Sequence, residues 1–186
     1  MKIIQALLSS LLLIFVFTAT THAKDLTWDE LNAKVTEFYK QQQFSTAAGY
    51  GQEALDLARK SGTPEQLATS LSNFAMVQTH LGQFGEAEEL NKEALQIRQK
   101  VFGVDDPRVG VSWNNLGLIY FFVKKMDDAE YCFLEVVRIQ ETANGKNSAE
   151  IIPSLEKLEK FYKKSENIEK ADKIAARILA LQTGPE

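Results

Sequence analysis

The chain has 186 residues, with 21 Lys and Arg against 25 Asp and Glu and a formal net charge of −4. That length suits one domain, and the mild acidity argues against non-specific attraction to nucleic acid. Cys132 is the only cysteine, which excludes an internal disulfide, and His22 and His80 are the only histidines, too few for a His-rich metal cluster.

The segment Met1 to Ala23 differs from the rest. Lys2 supplies a positive start, Ile3 to Phe17 are mostly apolar, and small and polar residues follow, ending in Thr21-His22-Ala23. This order is the layout of a secretory signal peptide, with cleavage expected after Ala23. The rival reading is an uncleaved membrane anchor, against which stands an apolar core shorter than the roughly 20 residues of a spanning helix. Loss of Lys2 takes the formal charge from −4 to −5. The remaining chain, residues 24–186, is expected in a periplasm or outside the cell, with no stable membrane insertion.

A repeat follows. Ala47, Ala87, Ala129 and Ala171 are separated by 40, 42 and 42 residues. At constant offsets before them lie Leu31, Leu71, Trp113 and Leu155, then Phe38, Gln78, Tyr120 and Tyr162, then Phe44, Phe84, Met126 and Ile168. Gln78 is the one break in these columns. Each unit divides into two amphipathic helices. The first opens on the capping box Thr27-x-x-Glu30, the second pair on Thr63-Pro64, the third on Asp106-Pro107 and the fourth near Ser148. Helices are expected near 28–42, 45–60, 64–81, 85–101, 107–123, 126–142, 149–164 and 167–182. Gly82-Gln83 and Lys124-Lys125 are too short to do anything but fold neighbouring helices antiparallel. The alanines and Gly117 let helix axes approach closely, and one hairpin cannot cover its own apolar face, so neighbours must stack.

Trp113-Asn114-Asn115-Leu116-Gly117-Leu118-Ile119-Tyr120, followed by Ala129 and Phe133, resembles the tetratricopeptide repeat (TPR), matching its W-x2-L-G-x2-Y and A-x3-F elements. The longer spacing and the linker Gly103 to Val109 are similar to the variant typified by kinesin light chain. The resemblance implies an all-α fold: a right-handed superhelical stack of about four TPR-like hairpins, an α-solenoid, near 28–61, 68–101, 110–143 and 152–185. Val35 and Glu159 stand where the family prefers Gly or Ala, so the outer hairpins are expected to pack more loosely. On the last helix, Ile174, Ile178 and Leu181 are candidates for exposure and for a homodimer contact.

In this family the first helix of each pair lines a concave groove that binds peptides. The resemblance places Ser72, Asn73, Met76 and His80 there in the second unit, and Asn114, Asn115, Leu118, Phe121 and Phe122 in the third. The fourth offers Glu156, Lys157, Lys160, Lys163 and Lys164; the first offers Asn32, Thr36 and Tyr39. Asparagine amides can pair with a peptide backbone, Met76, Phe121 and Phe122 supply apolar contact, and the lysines favour an acidic end. The Lys and Asn pattern by which some relatives clamp a terminal carboxylate is not matched. No Gly-rich phosphate loop, Gly-x-Ser-x-Gly elbow or paired base and nucleophile is visible, so neither cofactor nor catalysis is expected. The leading reading is a scaffold or adaptor for a protein or peptide. The alternative is a self-associating subunit of an envelope assembly.

Overall fold

The computed structural model describes residues 26–183. Among them are eight α-helices, one short 3-10 turn and no strand. The helices are α1 (Trp28–Lys40), α2 (Phe44–Ser61), α3 (Pro64–His80), α4 (Phe84–Phe102), α5 (Pro107–Phe122), α6 (Met126–Asn144), α7 (Ile152–Lys164) and α8 (Ile168–Thr183), with the 3-10 turn Ala149–Ile151 before α7. Each helix packs on its neighbours in chain order, as sequential hairpins require. The expected leader lies outside the described residues.

Local chemistry sets the ends. Thr27 and Thr63 accept from Glu30 and Gln66 backbone N–H groups in reciprocal capping boxes, and Asp106 caps Arg108. Every hairpin turn is the same C-terminal motif. The N–H groups of Gln43, Gln83, Lys125 and Asn167 donate to the carbonyls of Phe38, Gln78, Tyr120 and Tyr162 at 2.9 Å. This geometry holds Gln42, Gly82, Lys124 and Glu166 at φ of 59°, 77°, 65° and 61°. Only one of the four is the glycine that such a conformation favours.

The repeat length is set between hairpins. Gly62 and Thr63 alone join α2 to α3, whereas residues 103–106 join α4 to α5 and residues 145–148 lead out of α6. Gly103 and Gly145, both at φ 88°, start these longer linkers. The two additional residues account for a spacing of 42 in place of 40.

The core runs along the stack as three clusters, bridged by the half-buried Ala48 and Tyr120. Ala47, Ala87 and Ala129 are 0% exposed and Ala171 1%. A β-carbon on Gly117 would come within 3.2 Å of the Cys132 β-carbon, so α5 and α6 touch where the family motif demands a small residue. Val35, in the equivalent place, is buried with Ala47 and Val77, so the first hairpin accommodates the larger side chain. On α8 the expected exposure is corrected. Ile178 is buried, and Ile174 and Leu181 pack half-buried on the α7 core; Ile168 and Leu179 face outward instead.

Polar contacts lock consecutive units. Tyr120 donates to Glu88 at 3.0 Å and Tyr162 to Glu130 at 2.8 Å. Gln78, the break in the tyrosine column, has Ala48 where the next units carry those glutamates, so a tyrosine there would find no acceptor, and Gln78 donates to Glu86 within its own hairpin. Burial raises the Tyr120 hydroxyl above its ordinary range, and its bond to Glu88 adds to this. Arg98, 7% exposed, reaches from α4 to Ser72 on α3 (2.6 Å) and to Ser112 on α5. Burial pulls its guanidinium below its usual range, with the Glu65 carboxylate acting in the opposite sense.

Two outcomes follow from these locks. Arg98→Ala should cost about 2–4 kcal/mol in urea unfolding, since it strands two buried hydroxyls and opens a cavity. Arg98→Leu with Ser72→Ala and Ser112→Ala should recover most of that loss. Lys124→Gly should raise stability by about 0.5–1 kcal/mol in the same assay by relieving a left-handed turn, while Gly82→Lys should lower it by a similar amount.

Candidate peptide-binding groove

A groove of about 270 Å³ opens between α5 and α7. Asn114, Leu118, Phe121 and Phe122 line it from α5, Lys157, Lys160, Phe161 and Lys164 from α7, and Phe133 of α6 lies beneath. The helix period explains the convergence. Residues 114, 118, 121 and 122 recur on one face of α5, and 157, 160, 161 and 164 on one face of α7. The hairpin α5–α6 then sets these faces opposite each other.

The floor is aromatic. Phe133 and Phe161 are 4% and 5% exposed, with ring centroids 5.2 Å apart. Phe121 meets Phe161 edge-on at 6.1 Å, and Phe122, half-exposed, stacks on Phe84 of the preceding unit at 5.9 Å. The rim is cationic. Lys163 pairs with Glu159, but among the described residues Lys157, Lys160 and Lys164 hold no ion pair. Three unneutralised ammonium groups within two turns of one helix repel one another, and an anionic ligand would relieve this. Lys124 adds a fourth positive charge, its ammonium 5.5 Å from the Phe121 ring centroid.

Seven residues expected in the groove meet here: Asn114, Leu118, Phe121, Phe122, Lys157, Lys160 and Lys164. Five others, from α3 and α5, stand apart. Asn115 turns to α4, its amide 3.5 Å from the Asn91 side-chain oxygen. Asn73 donates to Asn32 at 3.0 Å, and Met76 is half-buried beside it on α3. His80 bonds the Tyr39 hydroxyl at 2.8 Å and stacks on Phe44 at 4.6 Å. Ser72 is buried against Arg98 and offers nothing to a groove. Phe133 and Phe161 were not anticipated as groove residues, because a large apolar side chain at a core position gives no sign that one of its faces borders a cavity.

The sequence matches the tetratricopeptide repeat profile over residues 35–100 and 66–142, more than half of its length. The chain belongs to the tetratricopeptide repeat family. No curated protein matches it. Solved structures share the superhelical stack. BtubC (BKLC) from P. vanneervenii is 23% identical with a TM-score of 0.71, over 86% of this chain and 66% of that one. A Podosopora anserina protein of kinesin light chain type, with nearly identical TPR-like repeats, is 19% identical with a TM-score of 0.70, over 82% of this chain and 73% of that one. This TPR chain therefore spans just under two thirds of the first of these proteins, and at such identities the likeness establishes the fold.

The repeat register also accounts for the single thiol of this TPR protein. Cys132 is 1% exposed between α5 and α6, and burial, with Asp128 and Glu135 nearby, pushes its pKa up to about 12. Among the described residues no group of His, Cys, Asp and Glu is placed to hold a metal ion. The folded protein should resist alkylation of Cys132 by iodoacetamide at pH 8, with labelling only in denaturant, as read by intact mass.

Proposed function

We propose that the protein is an exported scaffold that holds a partner polypeptide in the groove between its third and fourth repeats, and that it works without catalysis. The observation that carries this reading is an aromatic floor beneath three unpaired lysines in a chain whose net charge is negative. A partner segment would place a large apolar side chain over Phe121, Phe133 and Phe161. It would set carboxylates against Lys157, Lys160 and Lys164, while Asn114 pairs with its backbone. Tetratricopeptide repeat domains generally present such surfaces to proteins, which agrees with this assignment. The apolar leader and the expected cut after Ala23 support a periplasmic or secreted location. No helix among the described residues is long and apolar enough to cross a membrane.

A peptide library panned on the protein should enrich sequences with one large apolar residue and acidic residues within a turn of it. For such a peptide, Lys160→Glu with Lys164→Glu should weaken binding at least tenfold and flatten its dependence on salt. Unchanged affinity would remove the basic rim from the site. Phe122→Ala, at a half-exposed position, should weaken binding with little loss of stability, whereas Phe161→Ala should cost about 3–5 kcal/mol of folding energy and is unsuited to the test.

A second reading, a self-associating subunit of an envelope assembly, draws on the outward-facing Ile168 and Leu179. Sedimentation velocity separates the two: a monomer across micromolar concentrations favours the scaffold, and a concentration-dependent dimer favours the assembly subunit.

A further inference from the structure

The repeat register allows each residue of α8 to be compared with its counterparts in earlier units. Leu55, Leu95 and Val137 form one column and are 2%, 7% and 6% exposed; the next member, Leu179, is 60% exposed. Phe44, Phe84 and Met126 form a second column and are half-buried, the first two under His80 and Phe122 of the following unit. Its next member, Ile168, is 57% exposed. A third column holds Glu88 and Glu130, which accept the hydroxyls of Tyr120 and Tyr162 from the following unit. Its next member is Asp172, exposed and without a hydrogen bond or ion pair among the described residues. So α8 retains the three features by which α4 and α6 hold the helix that follows them, and within residues 26–183 no helix follows α8.

The opposite end is built differently. Phe74, Leu116 and Leu158 are buried where their units meet the preceding one, and their counterpart in the first unit is Lys34. Val77, Ile119 and Phe161 are buried likewise, and their counterpart is Glu37. Lys34 and Glu37 pair with each other at 2.9 Å on that face. A head-to-tail copy would have to desolvate this ion pair against Leu179, which its Coulomb attraction does not offset. The other first helices, α3, α5 and α7, are all engaged within their own chain. Among the described residues no spare helix fits α8.

We infer that α8 is a docking face that receives an amphipathic helix from a different protein, patterned like α5 and α7, with large apolar side chains against Ile168 and Leu179 and a tyrosine hydroxyl against Asp172. The occupant's chemistry comes from the two units in which the same columns are filled. This site is separate from the groove, so a complex could use both.

The test adds a second copy of residues 148–165 to the C-terminus of the full chain through a flexible Gly-Ser linker, which supplies the helix at a millimolar-scale effective concentration. The melting temperature should rise by about 4 °C, the shift expected for a modest new interface on a chain of this size. Leu179→Glu should abolish the rise while leaving the untethered chain unchanged, because Leu179 is exposed. Tyr162→Phe in the added copy should cut the rise by about half. Asp172→Ala should do the same, and the two together should do no more than either alone. No rise, or a rise indifferent to Leu179→Glu, would overturn the inference. So would a dimer of the unmodified chain that Leu179→Glu dissolves, since the face would then belong to a second copy. Lys160→Glu and Lys164→Glu should leave the rise intact, which keeps failure here distinct from failure of the groove.

Discussion

The methyl groups of Ala47, Ala87, Ala129 and Ala171 are enclosed, at most 1% exposed, and a β-carbon added at Gly117 would already crowd Cys132 and Phe133. This steric limit sets the distance between helix axes in every unit, and the other contacts depend on that distance. At a wider spacing Phe133 would not reach Gly117, and the close approach of α5 and α6 that buries Cys132 would open. Dense packing of this kind transmits a misfit to its neighbours, so four equivalent small residues act as one constraint repeated along the stack.

Polar links add selectivity to that packing. Arg98 bonds two hydroxyls on helices that flank its own, and the Tyr120–Glu88 and Tyr162–Glu130 pairs each cross from one unit to the next. Burial pushes the Glu130 carboxyl upward, but bonds from Lys170 and Tyr162 outweigh this and hold it below the usual carboxylate range. Such bonds contribute modestly to net stability, yet leaving either partner alone in the interior is costly. They therefore discriminate against any stacking register that would separate them. The surface ion pairs, such as Lys173–Glu169 with both side chains largely exposed, contribute little by comparison.

Much of the fold was legible in the residues because helix period and repeat spacing report on the same packing. The caps at Thr27, Thr63 and Asp106, the alanine columns and the sequential stacking were all readable. The left-handed turns were not, except at Gly82. Gln42, Lys124 and Glu166 adopt the same conformation because the returning helix compels it, and nothing in their chemistry announces that. At the groove, the face of α5 and the lysines of α7 could be placed from the family resemblance, with helix period choosing the residues on that face. Asn73 and Asn115 could not be separated from Asn114, because their partners, Asn32 and Asn91, lie 41 and 24 residues away. Whether a half-buried amide is free for a ligand depends on such distant neighbours.

The unequal linkers have a mechanical consequence. The two-residue joint at Gly62 and Thr63 is a short strut, with Gly62 extended at φ −79° and backed against the Ala58 carbonyl. The joints at Gly103 and Gly145 are four residues long, and each begins at a backbone position that a side chain would resist. Elastic compliance should therefore be distributed unevenly along the molecule, with a stiff first half and a more pliant second. The cleft between α5 and α7 spans the joint at Gly145, so any change in its width would fall on that joint and not on the strut at Gly62 and Thr63.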